Sequence, residues 1–432
     1  MKLEQSTTLI NHVVDQSNTA NKRNDVVERK LPKTIILLLA ICCGLSVANV
    51  YYAQPLLDSL AETFNIQYSV VGGVITATQV GCALALFFVV PLGDLVRRKK
   101  LIKIQLLLLF TVLILVAFSQ NLAVLLIGML GVGLLGTAMT QGLIAYSATL
   151  ASTSERGHVV GIVQSGVVVG LLLARTLAGV ITDISGWRSV YILSAVFSIL
   201  MLVLIWRILP EPKKSAINLN FFQLIGSMFS LLKNEKLLQV RGFLGLLMFA
   251  AFSIFWTALV LPLSVTPFEM SHTKIGAFGL IGVAGALAAA GVGGLNDKGY
   301  GQKATVVALV ILVLSWLPIA MMAYSIWALV LGIFLLDLGG QAIHVINQSM
   351  ILEIDPEASG RLIGCYMLFY SVGSGLGAIA STTTYALYGW VGVCLLGFIV
   401  SIAAFIFWII SLSCSKAIKN NSKKGQSGTL KN

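Results

Sequence analysis

Long apolar runs separated by short polar breaks dominate the chain. They cover 34–55, 68–92, 101–119, 122–150, 159–182, 189–209, 242–262, 274–295, 303–323, 326–352, 361–387 and 390–412. Each is close to the roughly 20 residues that a helix needs to cross the hydrocarbon of a bilayer. The runs are continuous and do not alternate apolar with polar, so helices are expected and barrel strands are not. The pattern predicts an all-α membrane protein of twelve transmembrane helices, here spans one to twelve. The expected organisation is an N-terminal tail (1–33), a six-helix bundle (34–209), a linker (210–241), a second six-helix bundle (242–412) and a basic tail (413–432). Within the linker Phe221, Ile225, Met228 and Leu232 fall on one helical face, which predicts an amphipathic helix lying on the membrane surface. Both tails read as solvated segments without a packed core.

Composition agrees: 57% of the residues are hydrophobic and only 11% charged, against about 25% charged in a soluble domain. The net charge of +12 would suggest a nucleic-acid partner in a soluble protein, but the placement of the charges gives another reason. With the N-terminus inside, 26 of the 29 basic residues lie on inner segments; Arg188 and Lys274 are outside and Arg175 lies within a span. That asymmetry predicts both termini in the cytoplasm and a multi-pass protein of the plasma membrane, with the bilayer as partner and no nucleic acid. Ser46-Val47-Ala48 looks faintly like a cleavage site, but the apolar run continues past it and no cleavage is expected.

The six cysteines form no Cys-x-x-Cys pair and the four histidines are scattered, so no metal site is expected. No Gly-rich loop ending in GK[ST] is present, which argues against ATP as the energy source. Gly131, Gly133 and Gly136 fit a dinucleotide fingerprint, but they lie inside a span with no preceding strand and are read as helix packing.

The halves repeat at one offset. Asp94 and Asp297, Gly136 and Gly339, Gly170 and Gly373, and the pairs Gly186-Trp187 and Gly389-Trp390 are each 203 positions apart. A six-span unit repeated in tandem is a transporter architecture with its substrate site between the halves. Small residues four apart, Gly157, Gly161 and Ser165 in span five and Gly373, Gly377 and Ser381 in span eleven, suit close helix approach and sliding.

The segments 91-PLGDLVRRKKLI-102, 293-GGLNDKGYGQKA-304, 152-STSERGHVVG-161 and 356-PEASGRLIG-364 resemble the inner-loop and Arg-Gly motifs of the major facilitator superfamily, and 48-ANVYYAQPLL-57 resembles its bacterial branch of proton-coupled drug and metabolite exporters. The resemblance covers 34–412. It implies alternating access and an inner-gate motif at Asp94, Arg97, Arg98, Asp297, Lys298 and Arg156. The chain departs from the motif at Val90, where a glycine is expected, and at Leu95, where a basic residue is expected.

Ionisable groups inside spans are functional suspects. Asp337 lies about mid-membrane in span ten, followed on the same face by Gln341, His344 and Gln348. Asp337 is expected to be the proton-coupling carboxylate, with His344 assisting. Asn49 and Tyr52 in span one, Gln141 in span four, Gln341 and Gln348 in span ten, and Tyr366 and Tyr370 in span eleven are expected to line the substrate cavity, as the resemblance implies for spans one, four, seven and ten. Phe249, Phe252 and Trp256 in span seven fit a packing role better. Arg175 lies in the outer third of span five, where the antiporter motif of the superfamily usually has Gly-Pro and this chain has Ala174-Arg175. A guanidinium does not deprotonate, so Arg175 is expected to be a gate or recognition residue.

The expected activity is secondary active transport by alternating access: proton-coupled efflux of a small organic molecule or drug by a monomer. No cofactor is expected, and the proton gradient supplies the energy. The alternative is proton-coupled uptake of a metabolite. A membrane-embedded receptor or enzyme is the alternative from another class, and it is disfavoured because no HExxH or Ser/His/Asp set is present.

Overall fold

The computed structural model describes residues 31–152, 155–210, 220–290, 292, 298–355 and 358–428, apart from the side chains of Asp94, Leu172, Ala290 and 413–428. Among these residues there are helices and no strand. Eleven stretches are long and apolar enough to cross a membrane: Lys33–Phe64, Tyr68–Gly93, Arg98–Ala117, Leu122–Leu150, Arg156–Ser185, Trp187–Ile208, Lys236–Leu263, His272–Ala289, Gly301–Ala323, Ile326–Leu352 and Ser359–Leu412. The last breaks at Gly389 into two crossings, giving the twelve spans. The helical backbone carries on past Leu412 to Gly428, where a tail without structure was expected.

Local chemistry sets the breaks. Gly186 and Gly389, partners in the internal repeat, take φ of +79° and +63°. That left-handed region is open to glycine at little cost, so each can turn the chain sharply between two long helices. The tryptophans that follow anchor the next span: Trp187 donates to Thr63 Oγ1 at 3.0 Å and Trp390 to the Ile319 carbonyl at 3.2 Å. Asn121 caps span four by accepting from the Val124 amide at 2.9 Å. In span two Pro91 cannot donate, and the turn before it widens into a π-helix over Ala85–Val89.

Each half is welded by close helix contacts at equivalent places. Gly170 of span five lies against the backbone of Gly44 in span one, and its repeat partner Gly373 of span eleven against the backbone of Leu246 in span seven. Large apolar side chains such as Val196, Leu200, Trp327 and Leu395 point outward, exposed, as a lipid-facing surface requires.

The halves meet along two seams. Span two meets span eleven, where Thr76 Oγ1 donates to the Gly375 carbonyl at 2.8 Å. Span five meets span eight, where Thr176 Oγ1 donates to the Gly276 carbonyl at 3.0 Å. Both contacts lie toward the face opposite the basic loops. Near the basic face the seam of spans five and eight parts: a side chain added at Gly157 or Gly161 would meet none of the described residues. The molecule is thus sealed on the face opposite the basic loops.

The linker helix, Phe221–Asn234, starts with a capping box formed by Asn220 and Gln223. It packs on the protein through Met228 and the neighbouring Leu224, both buried, with Phe221, Ile225 and Leu232 of the expected face half-buried. Phe229 contacts Phe87 of span two with ring centres 5.0 Å apart, and the Met228 carbonyl accepts from Cys365 of span eleven at 3.6 Å. The helix therefore touches both halves. Span seven begins at Lys236, so Arg241, counted from sequence with the linker, is part of a span.

Candidate functional site

Arg175 and Asp337 come together between the halves. Arg175 is buried. Its Nε donates to Gln54 Oε1 at 2.9 Å, and its guanidinium carbon sits 4.1 Å from the centre of the Trp256 ring and 5.4 Å from that of Tyr51. A desolvated cation on an aromatic face gains about 2 kcal/mol. Gln54 is held by the short 3-10 turn Gln54–Leu56, which Pro55 starts. Asp337 is also buried, within electrostatic reach of Arg175 and beside the Trp256 indole. Gly282 of span eight makes room for it: a Cβ there would lie 3.0 Å from the carboxyl group. The two charges form no direct ion pair, and one terminal nitrogen of Arg175 and Oδ2 of Asp337 have no hydrogen-bond partner. Arg175 belongs to the first half and Asp337 to the second.

Tyr51 and Tyr370 extend the cluster through a hydrogen bond between their hydroxyls. The Phe249 ring stands edge-on to Tyr370 at 4.2 Å and to His344 at 5.1 Å. His344 Nδ1 shares a hydrogen bond with Tyr366 Oη at 3.1 Å, and its Nε2 receives one from Gln348 at 3.2 Å. Asn347 Nδ2 reaches the same tyrosine oxygen at 3.5 Å and the Arg241 carbonyl at 3.3 Å. Arg241, buried, donates to Thr305 Oγ1 at 3.1 Å and Asn347 Oδ1 at 3.3 Å.

The remaining candidates are dispersed. Asn49 turns into the first half, accepting from Ser194 of span six at 2.5 Å, and Tyr52 faces the same serine. Gln141 and Gln341 are half-buried on spans four and ten. Of the inner-gate residues, Arg97 and Arg156 are exposed, Arg98 is half-buried and Lys298 is exposed. Lys99 beside them donates to the Leu209 carbonyl at 2.5 Å and caps the end of span six. Asp297 and the side chain of Asp94 lie outside the described residues. The five cysteines described are buried and free, and no group of metal ligands occurs among the described residues.

Sequence reasoning missed Tyr51 and set Trp256 aside as packing. It also missed a cleft of about 380 Å³ between spans two and eleven, lined almost wholly by apolar groups, with Gln79 and Ser371 among its walls. Gln79 Oε1 and Ser371 Oγ are buried without partners.

It missed, finally, a contact on the sealed face. His272, the first residue of span eight, has Nδ1 3.0 Å from Asp183 Oδ1 and Nε2 3.1 Å from Asp58 Oδ1. Asp183 also accepts from the His272 amide at 3.0 Å and from the Thr273 amide and hydroxyl at 2.8 and 2.6 Å. A carboxylate at a helix N-terminus satisfies amides that have no helical partner.

Comparison with known proteins decides the family. The family model described as Major Facilitator Superfamily matches residues 36–298 and 241–431. The chain belongs to the major facilitator superfamily. It is a multi-pass membrane transporter and not an enzyme. The "Uncharacterized transporter YgaY" of Escherichia coli O157:H7 is 42% identical over 379 residues, covering 88% of this chain and 96% of that protein. A "Probable sugar efflux transporter" of Helicobacter pylori (strain P12) is 23% identical, covering 75% and 81%. Among solved structures, the nucleoside transporter NupG (D323A mutant) matches with a TM-score of 0.72 at 14% identity, covering 87% of this chain and 99% of that one. A bacterial homolog to the human lysosomal transporter Spinster matches with 0.70 at 14% identity, covering 88% and 95%. At that identity the likeness concerns the fold alone.

Proposed function

We propose that this transporter is a proton-coupled exporter of a small organic molecule, set in the inner membrane with both termini cytoplasmic. One observation carries the reading: Arg175 of the first half and Asp337 of the second are buried beside each other at the seam without a direct bond. When Asp337 takes a proton, the guanidinium loses its counter-charge. The pair bridges the halves, so that change alters the relative free energy of the sealed and opened states, which is what coupling requires. Arg175 stays cationic throughout and offers a partner to an acceptor group on the substrate. His344 lies seven residues from Asp337 in span ten, about two turns toward the basic face, and with Tyr366 and Gln348 it provides the proton's way out on that side. The apolar cleft and its two unpartnered polar groups suit an organic substrate. The distant relative named for sugar efflux favours export.

The test uses right-side-out and inverted vesicles with an imposed pH gradient and a broad compound panel. The wild-type chain should move protons only with substrate. Asp337→Asn should abolish that coupling while remaining monodisperse and thermally stable. Undiminished gradient-driven transport by this variant would sink the reading.

A further inference from the structure

We propose that His272 is a second proton-binding site, titrated from the face opposite the basic loops, which holds that face shut when it carries a proton. The geometry rests on three elements. Asp58 lies at the end of span one in the segment Leu57–Thr63 and Asp183 in the last turn of span five, both in the first half; His272 opens span eight in the second. One carboxylate oxygen faces each ring nitrogen, at 3.0 and 3.1 Å. A carboxylate only accepts, and neutral imidazole has a single N–H. Only the imidazolium donates to both acids at once. In the neutral ring one nitrogen turns its lone pair toward a carboxylate oxygen about 3 Å away.

Ser59 supplies the other half of the switch. Its hydroxyl lies 3.1 Å from the same Nε2 and can donate to the lone pair of the neutral ring. Deprotonation then leaves the Asp183 contact in place, transfers Nε2 from Asp58 to Ser59, and sets Asp58 against a lone pair. Asp183 cannot easily follow a moving partner, because the Thr273 amide and hydroxyl hold its other oxygen. The contact closes a tight seam, since Gly179 of span five lies against the His272 carbonyl. The ring keeps 20% of its surface exposed, so water on that face delivers the proton.

Among the described residues, the other charged groups nearby do not supply a competing cation at contact distance. From the span-one segment comes Glu62, exposed; from the preceding loop Glu269, taken by Thr266 Oγ1 at 2.8 Å; from span eight itself Lys274, exposed. Tyr68 at the start of span two faces Asp58 and Glu62. Arg175 lies eight residues deeper than Asp183 in span five, engaged with Gln54. The local field is negative and favours the imidazolium. Protons arriving at this face therefore stabilise the state that is shut toward them, and a rise in pH there loosens it.

The inference rests on alternating access but not on Asp337, and the experiment separates the two. The full-length Asp337→Asn chain in lipid nanodiscs carries spin labels at Gln67→Cys and Tyr324→Cys, exposed positions in opposite-face loops of the two halves. Inter-label distances are recorded between about pH 5 and pH 8, where histidine titrates. The closed population should fall as pH rises. His272→Gln should lower the closed-to-open ratio at acidic pH by about tenfold, the worth of one charge-assisted contact, and make it flat with pH. Two milder variants move the midpoint in opposite directions: Asp58→Asn, which weakens the protonated form, to lower pH, and Ser59→Ala, which weakens the neutral form, to higher pH. A merely structural role would shift neither. Distances independent of pH, or a His272→Gln chain that keeps the full pH response, would overturn the proposal. A pH response here alongside transport without proton coupling would leave it standing and remove the role of Asp337 alone.

Discussion

Arg175 and Asp337 each interrupt an apolar run, and a charge in such a run must find a partner. What position along a single helix does not give is that the partner is the other charge. Arg175 lies ten residues from the outer end of its helix at Ser185 and Asp337 eleven from the outer end of its own at Ile326, so the two stand at nearly one level, with the Trp256 ring beside both. The same arithmetic selects Tyr52 over Tyr51, since neighbouring residues on a helix point about 100° apart and only packing decides which one faces the seam. The shared burial has a measurable consequence. Arg175→Gln alone leaves the Asp337 carboxylate buried and uncompensated; in a fully desolvated site this costs about 3–5 kcal/mol. The double variant should melt closer to wild type than Arg175→Gln alone, with no recovery of driven transport. A double-mutant cycle on thermal unfolding checks this; strict additivity would show that the two side chains do not sense each other.

At the scale of elements, the twelve spans and the repeat were legible because hydrophobic length and the offset of 203 are properties of the chain itself. Gly186 and Gly389 were visible as a repeated pair, and their positive φ supplies the reason. The linker helix was legible as a helix with one apolar face, but not in what that face meets, because the amphipathic pattern does not distinguish a lipid surface from the underside of two bundles. Arg241 was misplaced for a related reason: a basic residue at a span boundary reads as topology until Thr305 and Asn347 are seen to hold it inside. The welds within each half are the rigid parts. Gly170→Val drives a side chain into the Gly44 backbone, and overpacking of this kind costs about 1–3 kcal/mol. The variant should show a lower melting temperature in detergent, and an unchanged one would mean that spans one and five are free to separate.

At the scale of the whole molecule, the two bundles are joined at one end and parted at the other, a state the sequence contains only as a capacity for alternation. Gly157 and Gly161 belong to this asymmetry. On span five, Gly161 is 18 residues from Gly179, about five turns, and so shares its face; Gly179 is pressed against span eight while Gly161 meets none of the described residues. Gly161→Val should therefore leave the melting temperature unchanged and still slow turnover, as followed by the rate of gradient-driven transport. The added methyls collide only when the basic ends approach. A population of molecules arrested on one side of the cycle would look healthy to every assay of stability. In such a chain the residues that set the tempo are silent in the resting form.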